Sequence, residues 1–292
     1  MKIFLTGGSG FIGRNIIDQM GDGYEIIAPR HNELELLDAE AVRAFLARYR
    51  FDAVIHSAVK PGHRNAADHT RLLEANLRML FNITRNRDFF GKLIFLSSGA
   101  VYDITKPMCR VREDDFDRIV PGDEHGFSKY IISKHLAALD NAVELRIFGV
   151  FGKYEDYAIR FISNAICKTL FDLPITLRQD RIFDYIFIDD LMPVLKFILN
   201  TNVRYKEYNM TPDSSVRLLE LANTIRKISG KDLQVQLGKP GMGLEYSGDN
   251  QRLKQEMPYL SFTPLDMAVR KLYGWYAENK NSIEKEKLLI DK

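Results

Sequence analysis

Residues 1–15 read MKIFLTGGSGFIGRN. An apolar strand, Ile3 to Thr6, runs straight into Gly7-Gly8-Ser9-Gly10-Phe11-Ile12-Gly13 and then into a helical pattern. The spacing is G-x-x-G-x-x-G at a strand-to-helix turn. The chemistry of such a turn is narrow, because it lets backbone N–H groups and a helix N-terminus approach a pyrophosphate. Gly7 suits the tight turn, Gly10 lets the backbone touch the diphosphate, and Gly13 lets the helix pack closely on the strand. Phe11 and Ile12 lie in the same turn and join the expected dinucleotide-binding set. The alternative is an ordinary glycine-rich turn. The flanking strand and helix favour the dinucleotide.

Outward from this turn, strand-like apolar runs alternate with helical patterns as far as Gly152. The expected strands are Lys2–Thr6, Tyr24–Ala28, Ala53–Ser57, Lys92–Ser97 and Val143–Phe148. The expected helices are Gly10–Met20, Ala39–Tyr49, Arg71–Asp88 and Gly126–Ala138, with Asp38 as the N-cap of the second. Short, continuous apolar strands suit a parallel sheet covered on both faces. The pattern predicts a doubly wound α/β (Rossmann) domain over residues 1–152, with ligands at the carboxyl ends of the strands. Segments near 182–208 are expected to return to it. Residues 153–181 and 209–280 are expected to form a smaller C-terminal substrate lobe, with Gly238–Gly248 as a glycine-rich loop. Helices are expected at Ile159–Leu170, Asp190–Leu199, Leu218–Ile228 and Met267–Glu278, and a strand at Ile182–Ile188. Ser229-Gly230 reads as a C-cap. The stretch 281–292 is mostly charged and reads as a solvated tail.

Bulk properties narrow the class. The 292 residues carry a net charge of +2, and no basic run suggests nucleic acid. No signal pattern precedes the first strand, and no apolar run is long enough to span a bilayer. The two cysteines, Cys109 and Cys167, have no metal-like spacing. We expect reduced thiols, no metal, and a cytoplasmic location.

After the second strand, a dinucleotide fold usually presents a carboxylate to the adenosine ribose. Here Pro29, Arg30 and His31 follow the strand, while Glu33 and Glu35 come later. An arginine there attracts a 2′-phosphate, so Arg30 favours NADP over NAD. His31 and Leu36 complete the expected adenosine end. Small residues follow the strand Ala53–Ser57, so His56 and Ala58 are placed at the cofactor, with His56 structural or contacting rather than a base. The strand Lys92–Ser97 ends at Ser98, facing the ligand crevice. His125 and Lys129 are four apart and share a helix face.

Together these motifs resemble the extended short-chain dehydrogenases/reductases, the nucleotide-sugar epimerases, dehydratases and 4-keto reductases. The resemblance rests on Gly7/Gly10/Gly13, His56-Ser57-Ala58, Asn76, Ser98-x-x-Val101-Tyr102 and Gly126-x-Ser128-Lys129. It continues through Phe183–Asp190, Tyr208-Asn209, Val216–Ala222, Asp249–Leu253 and Gly274-Trp275-Tyr276, so it covers nearly the whole chain. The run Asn32–Asp38 looks most like GDP-fucose synthases and dTDP-4-dehydrorhamnose reductases. The resemblance implies a catalytic Ser98, a Lys129 that also orients the cofactor ribose, and a tyrosine four residues before the lysine. That position holds His125. Tyr130 and Lys134 also spell Y-x-x-x-K, but five helical residues turn Tyr130 about 140° away from His125. Both are expected on the helix surface or at a subunit interface.

Imidazole transfers protons with an ordinary pKa of about 6.5. For ketone reduction His125 would have to carry the proton, and Lys129 one turn away opposes that charge. Three readings stay open at this position: a working acid/base, a weakened or altered site, or a water relay. Family dehydratases carry Asp-Glu directly after the catalytic Ser/Thr, whereas this chain has Gly99 and Ala100, which argues against dehydration. Gly149 stands where relatives often place an asparagine facing the sugar. Arg178 and Arg252 are expected at the substrate diphosphate, among Arg160, Arg178, Arg181 and Arg252. Asp189 and Asp190 are expected to cap the next helix. The expected activity is NADP-dependent reduction of the 4-keto group of a nucleotide-activated sugar. The alternatives are an NAD-dependent nucleotide-sugar 4-epimerase, or a cofactor-binding member with altered catalysis. By family analogy a homodimer is expected through helices near 71–88 and 126–139.

Overall fold

The computed structural model describes residues 1–62, 68 and 70–290. In chain order the elements are β1 (Lys2–Thr6), α1 (Phe11–Met20), β2 (Glu25–Ile27), α2 (Ala39–Tyr49), β3 (Phe51–His56), α3 (Leu72–Thr84), β4 (Phe90–Ser98), β5 (Met108–Val111), α4 (Glu124–Ala137), β6 (Ala142–Ile147) and β7 (Gly149–Phe151). They continue with α5 (Phe161–Leu170), β8 (Ile175–Asp180), β9 (Ile182–Phe183), β10 (Tyr185–Phe187), α6 (Ile188–Asn200), β11 (Glu207–Met210), β12 (Val216–Arg217), α7 (Leu218–Ser229), β13 (Val235–Met242), β14 (Tyr246–Gly248), α8 (Gln251–Glu256) and α9 (Leu265–Glu278).

The central sheet is parallel, in the order β11-β6-β4-β3-β1-β2. Alternate residues along each strand enter different cores. Ile3, Leu5, Ile55, Ile94 and Leu96 pack on one face with α1, α5 and α6. Phe4, Val54, Leu93 and Phe95 pack on the other with α2, α3 and α4. Both faces are therefore dry, which is why the strands read as unbroken apolar runs. The register pairs Thr6 with His56, His56 with Phe95, and Ser98 with Ile147. The carboxyl ends of four strands thus meet along one edge, where the glycine turn also emerges. Asp38 caps α2 as expected, accepting from the N–H groups of Glu40 and Ala41. Gly230 closes α7 at φ +66°.

The two halves interleave more than a boundary at residue 152 implies. β5, from the first half, joins the small sheet β12-β9-β14-β5. β9 belongs to that sheet too, so the segment that returns to the main sheet begins later, with α6 on α1 and with β11. The strand expected at Ile182–Ile188 is broken at Asp184 into β9 and β10. The stretch Gly238–Gly248 is not a loop. It contributes to β13, an exposed edge strand parallel to β8, and to β14. Glycine, proline and exposure on both faces erase the alternation that would have marked β13. No described helix is long and apolar enough to cross a membrane.

The C-terminal stretch is not a solvated tail as far as it is described. Ile283 and Leu288 are buried in the larger core, and the Glu284 N–H donates to the Tyr157 hydroxyl at 3.0 Å. The charges made the segment look soluble, while two apolar residues at turn spacing dock it. We expect Leu288→Ala to destabilise the protein by about 2–4 kcal/mol, as for other buried leucines. Urea denaturation checks this, and an unchanged midpoint would return the segment to solvent.

Candidate active site

A cleft of about 720 Å³ opens at the carboxyl edge of the sheet. Gly7, Gly8, Ser9, Gly10, Phe11 and Ile12 line its floor, and Leu36, Ser57, Ala58, Val59 and Met79 its walls. Gly7 has φ +71°, and a Cβ there would lie 2.8 Å from the Ala58 nitrogen. A Cβ on Gly13 would lie 2.1 Å from the Gly7 carbonyl oxygen, so only glycine lets α1 descend this far onto β1. Gly10 is the N-cap of α1, with no capping side chain and no acidic residue in the first turn. The first-turn N–H groups are thus left for an anion. These features fit a dinucleotide pyrophosphate.

At the adenosine end His31, Leu34, Glu35, Leu36 and Leu37 line the cleft. Arg30 does not. Its side chain is exposed at the rim, and its N–H donates to Glu33 at 2.7 Å. Glu35 accepts from the Leu37 N–H at 2.8 Å and pairs with His31 Nδ1 at 3.2 Å. A carboxylate is therefore nearer the cleft than the arginine that was expected to decide the cofactor.

His56 lies behind the lining rather than in it. Its ring is buried, stacked on Phe95. Thr6 Oγ1 accepts from the N–H groups of Ser57 and Ala58 at 3.2 and 3.1 Å and lies 2.7 Å from His56 Nδ1. With both acceptor positions of the hydroxyl taken, Thr6 donates to Nδ1, which requires neutral imidazole. Burial, and then Lys129, push the His56 pKa down to about 3, in agreement. His56 is therefore a brace for the Ser57–Ala58 turn, not a cofactor contact. Thr6 was missed in the sequence because one threonine ending a strand carries no motif. Asn76 clamps the same loop, accepting from the Lys60 N–H at 2.8 Å and donating to its carbonyl.

Ser98, His125 and Lys129 come from β4 and α4, which approach closely at their ends: a Cβ on Gly126 would lie 2.8 Å from the Ala100 carbonyl. Ser98 Oγ accepts from the Ala100 N–H at 3.1 Å. Asp123 caps α4 through the Gly126 N–H. Lys129 is buried, with its ammonium 4.6 Å from the centre of the Phe95 ring. Burial lowers its pKa to about 8, and the charge of Glu144 limits the fall. His125 is half-buried, and its Nδ1 is enclosed without a hydrogen-bond partner among the described residues. Burial, then Lys129, hold its pKa below the ordinary histidine value, against a smaller opposing pull from Asp123. At neutral pH His125 is therefore an uncharged ring that can accept a proton and is poorly suited to hold one.

Two further tyrosines and an arginine enclose this corner. Tyr246, from β14, brings its hydroxyl against the Ser98–Gly99 turn, and the Ser98 side chain pulls its pKa down against the effect of burial. It packs on Phe148 and Phe183, with ring centres 5.1 and 4.7 Å away. Burial lifts its pKa to about 12. Burial likewise raises Tyr185. Arg181 stacks over Phe183, and its Nε has no hydrogen-bond partner among the described residues. A Cβ on Gly99 would lie 2.6 Å from the Tyr246 hydroxyl and 3.0 Å from Phe148, so no carboxylate side chain fits there. Gly149 is equally closed, with a Cβ 2.2 Å from the Asp184 carbonyl oxygen.

Arg252 does not keep the role expected for it. Its guanidinium binds Glu207 and Asp114, approaches Glu113 at 3.8 Å, and stacks on Tyr205. Three carboxylates neutralise it, so it ties α8 to β11 and to the turn after β5. Arg178 is exposed on β8. Asp189 and Asp190 do not cap α6. Asp189 pairs with Lys271, and Asp190 accepts from the N–H and hydroxyl of Thr263, tying α6 to α9 and the segment before it. Tyr130 and Lys134 both bind Asp117 at the surface, away from Ser98.

A family model described as the NAD dependent epimerase/dehydratase family matches residues 3–211. The chain is 40% identical over 106 residues to a GDP-L-fucose synthase from Azorhizobium caulinodans, a stretch covering 35% of this chain and 34% of that protein. It is 25% identical to a UDP-glucose 4-epimerase from Bacillus subtilis, over 96% of this chain and 98% of that one. Among solved structures, a GDP-L-fucose synthetase from Naegleria fowleri bound to NADP has a TM-score of 0.82 at 16% identity, covering 96% of this chain and 94% of that one.

The electrostatic arrangement is directly testable. Lys129→Met keeps the side-chain volume and removes the charge, so the pKa values of His56 and His125 should both rise. Histidine NMR titration reads both rings, and an unmoved His125 would show that the ammonium is not what holds it neutral.

Proposed function

The chain belongs to the NAD-dependent epimerase/dehydratase family of nucleotide-sugar enzymes, and we propose that it reduces the 4-keto group of a nucleotide-activated sugar with NADP. The observation that carries this reading is the turn after Ser98. The Ser98 hydroxyl stands at the head of that turn, accepting from the Ala100 N–H, and the next two positions, Gly99 and Ala100, offer no acid or base for eliminating water. Dehydration is thereby set aside. Between the two remaining family reactions, the stretch of 40% identity to a GDP-L-fucose synthase supports the reductase.

When bound, the nicotinamide cofactor supplies the hydride. The chain's own residues do the rest. The glycine turn and the start of α1 hold the pyrophosphate. Lys129 orients the nicotinamide ribose with its ammonium. Ser98 Oγ hydrogen-bonds the carbonyl oxygen. His125, uncharged, presents a ring nitrogen to the sugar as a hydrogen-bonding group. Arg181 takes over from Arg252 as the cation facing the substrate, and Arg178 is retained as an exposed candidate for the diphosphate. For the 2′-phosphate, Arg30 at the rim and His31 beside it supply positive charge, while Glu35 is occupied by the Leu37 N–H and His31. We place a dimer contact on α3 and α4, which pack together over one face of the sheet, by family analogy alone.

One specific observation favours the second reading, an NAD-dependent 4-epimerase: Glu35 lines the cleft where Arg30 does not. Cofactor titration and turnover separate the two. NADPH should be consumed, seen as loss of nicotinamide absorbance, on addition of a nucleotide-linked 4-keto-6-deoxy sugar. Arg30→Ala should weaken NADPH about tenfold, the worth of one charge-assisted hydrogen bond, and leave NADH unchanged. Bound NAD that survives gel filtration, with interconversion at C4 and no net cofactor consumption, would establish the epimerase instead. Affinity for the dinucleotide should fall as pH rises through about 8, because the Lys129 ammonium is lost there. A binding curve flat from pH 7 to about 9 would remove Lys129 from the cofactor site.

A further inference from the structure

The site described above lacks an obvious proton for the carbonyl oxygen. His125 is held uncharged by burial and Lys129. Ser98 is the hydroxyl assigned to the carbonyl oxygen, but an alcohol alone is a poor acid. Behind it stands Tyr246, contributed by the C-terminal lobe. Its hydroxyl would lie 2.6 Å from a Cβ on Gly99, so it is pressed against the very turn that presents Ser98, and the Ser98 side chain favours its ionised form. Its ring is fixed by Phe148 and Phe183 on two sides. The charged groups that act on it are Arg181, Asp184 and Arg160. Two of the three are cations, which favour a transient phenolate.

We propose that Tyr246 is the proton source behind Ser98, so that a hydroxyl from the second lobe fills the role left open at His125. The inference rests on the reductase reading. As the carbonyl carbon accepts the hydride and its electron pair, the C=O π bond opens onto oxygen. The Ser98 Oγ–H bond breaks and that proton bonds to the oxygen. The Tyr246 O–H bond breaks and restores the Ser98 hydroxyl. The phenolate, facing Arg181, regains its proton by the same path from water in the cleft once the alcohol has left. A phenol near pKa 12 stays protonated through the physiological range and is still a stronger acid than the alcohol being formed. Tyr246 acts through Ser98 and does not itself meet the sugar.

The test uses Tyr246→Phe, which keeps the ring packing, together with Ser98→Ala and a difluorotyrosine placed at position 246, whose ionisation falls in a pH range the fold withstands. In protein without cofactor or substrate, the ¹⁹F resonance at 246 should titrate, and Ser98→Ala should move that titration to higher pH, because a donated hydrogen bond to the phenolate is lost. Tyr246→Phe should lower kcat at least about 100-fold, in the range of general acid catalysis, with KM changed less than about threefold. Adding it to Ser98→Ala should slow turnover no further. A Tyr246→Phe protein with kcat within about threefold of the parent, or a ¹⁹F titration indifferent to Ser98→Ala, would overturn the proposal. If the parent protein reduces no 4-keto sugar, the reductase reading fails, and the ¹⁹F titration alone decides the link between Tyr246 and Ser98.

Discussion

A buried positive charge organises the polar chemistry of this protein. Lys129 carries its ammonium inside the fold, against the face of Phe95, and the cost of that burial is visible in its lowered affinity for a proton. The cation–ring contact and the more distant Glu144 recover part of the cost. What remains is a field that reaches both neighbouring histidines. His56 and His125 are each depressed first by their own burial and then by Lys129. Burial and one lysine together make one imidazole a structural acceptor and leave the other uncharged at the start of α4.

The same edge of the sheet depends on close backbone approach. α1 can rest on β1 only because position 13 has no Cβ, and the Ser57–Ala58 turn can reach Gly7 only because position 7 has none. Thr6 then locks the turn with one hydroxyl that accepts twice and donates once. The donated bond is possible only while His56 is neutral. The geometry of the cleft and the electrostatics of Lys129 are therefore coupled through a single side chain, Thr6, whose partner His56 lies 50 residues away on β3.

Much of this was legible in the order of residues, and the limits are physical. Strands buried on both faces announce themselves as apolar runs, so β1, β3, β4 and β6 could be read directly. The glycine turn could be read because its spacing reflects two contacts that no side chain permits. β13 could not, because an exposed strand with glycine and proline carries no alternation. The C-terminal segment was misread because its charges outnumber the two residues that dock it. Arg252 shows a different limit. A motif marks that a guanidinium is needed at a position, but not whether its partner is a phosphate or the three carboxylates of Glu113, Asp114 and Glu207. Arg30 is similar, since its sign was readable and its distance from the cleft was not.

The histidine at position 125 is best understood from the side of the site that sequence could not assemble. Read along α4 alone, it stands where the family resemblance implies a phenol. In the fold, β14 brings the Tyr246 hydroxyl to the opposite side of the Ser98 turn, from a segment read in the sequence as a loop. The glycine at 99 then has two consequences. It leaves no carboxylate at that position, and it makes the space that the Tyr246 hydroxyl occupies beside the turn. A side chain at 99 and a phenol behind Ser98 exclude each other sterically. The absence of a side chain at that turn and the approach of the β14 hydroxyl to it are thus the same structural fact.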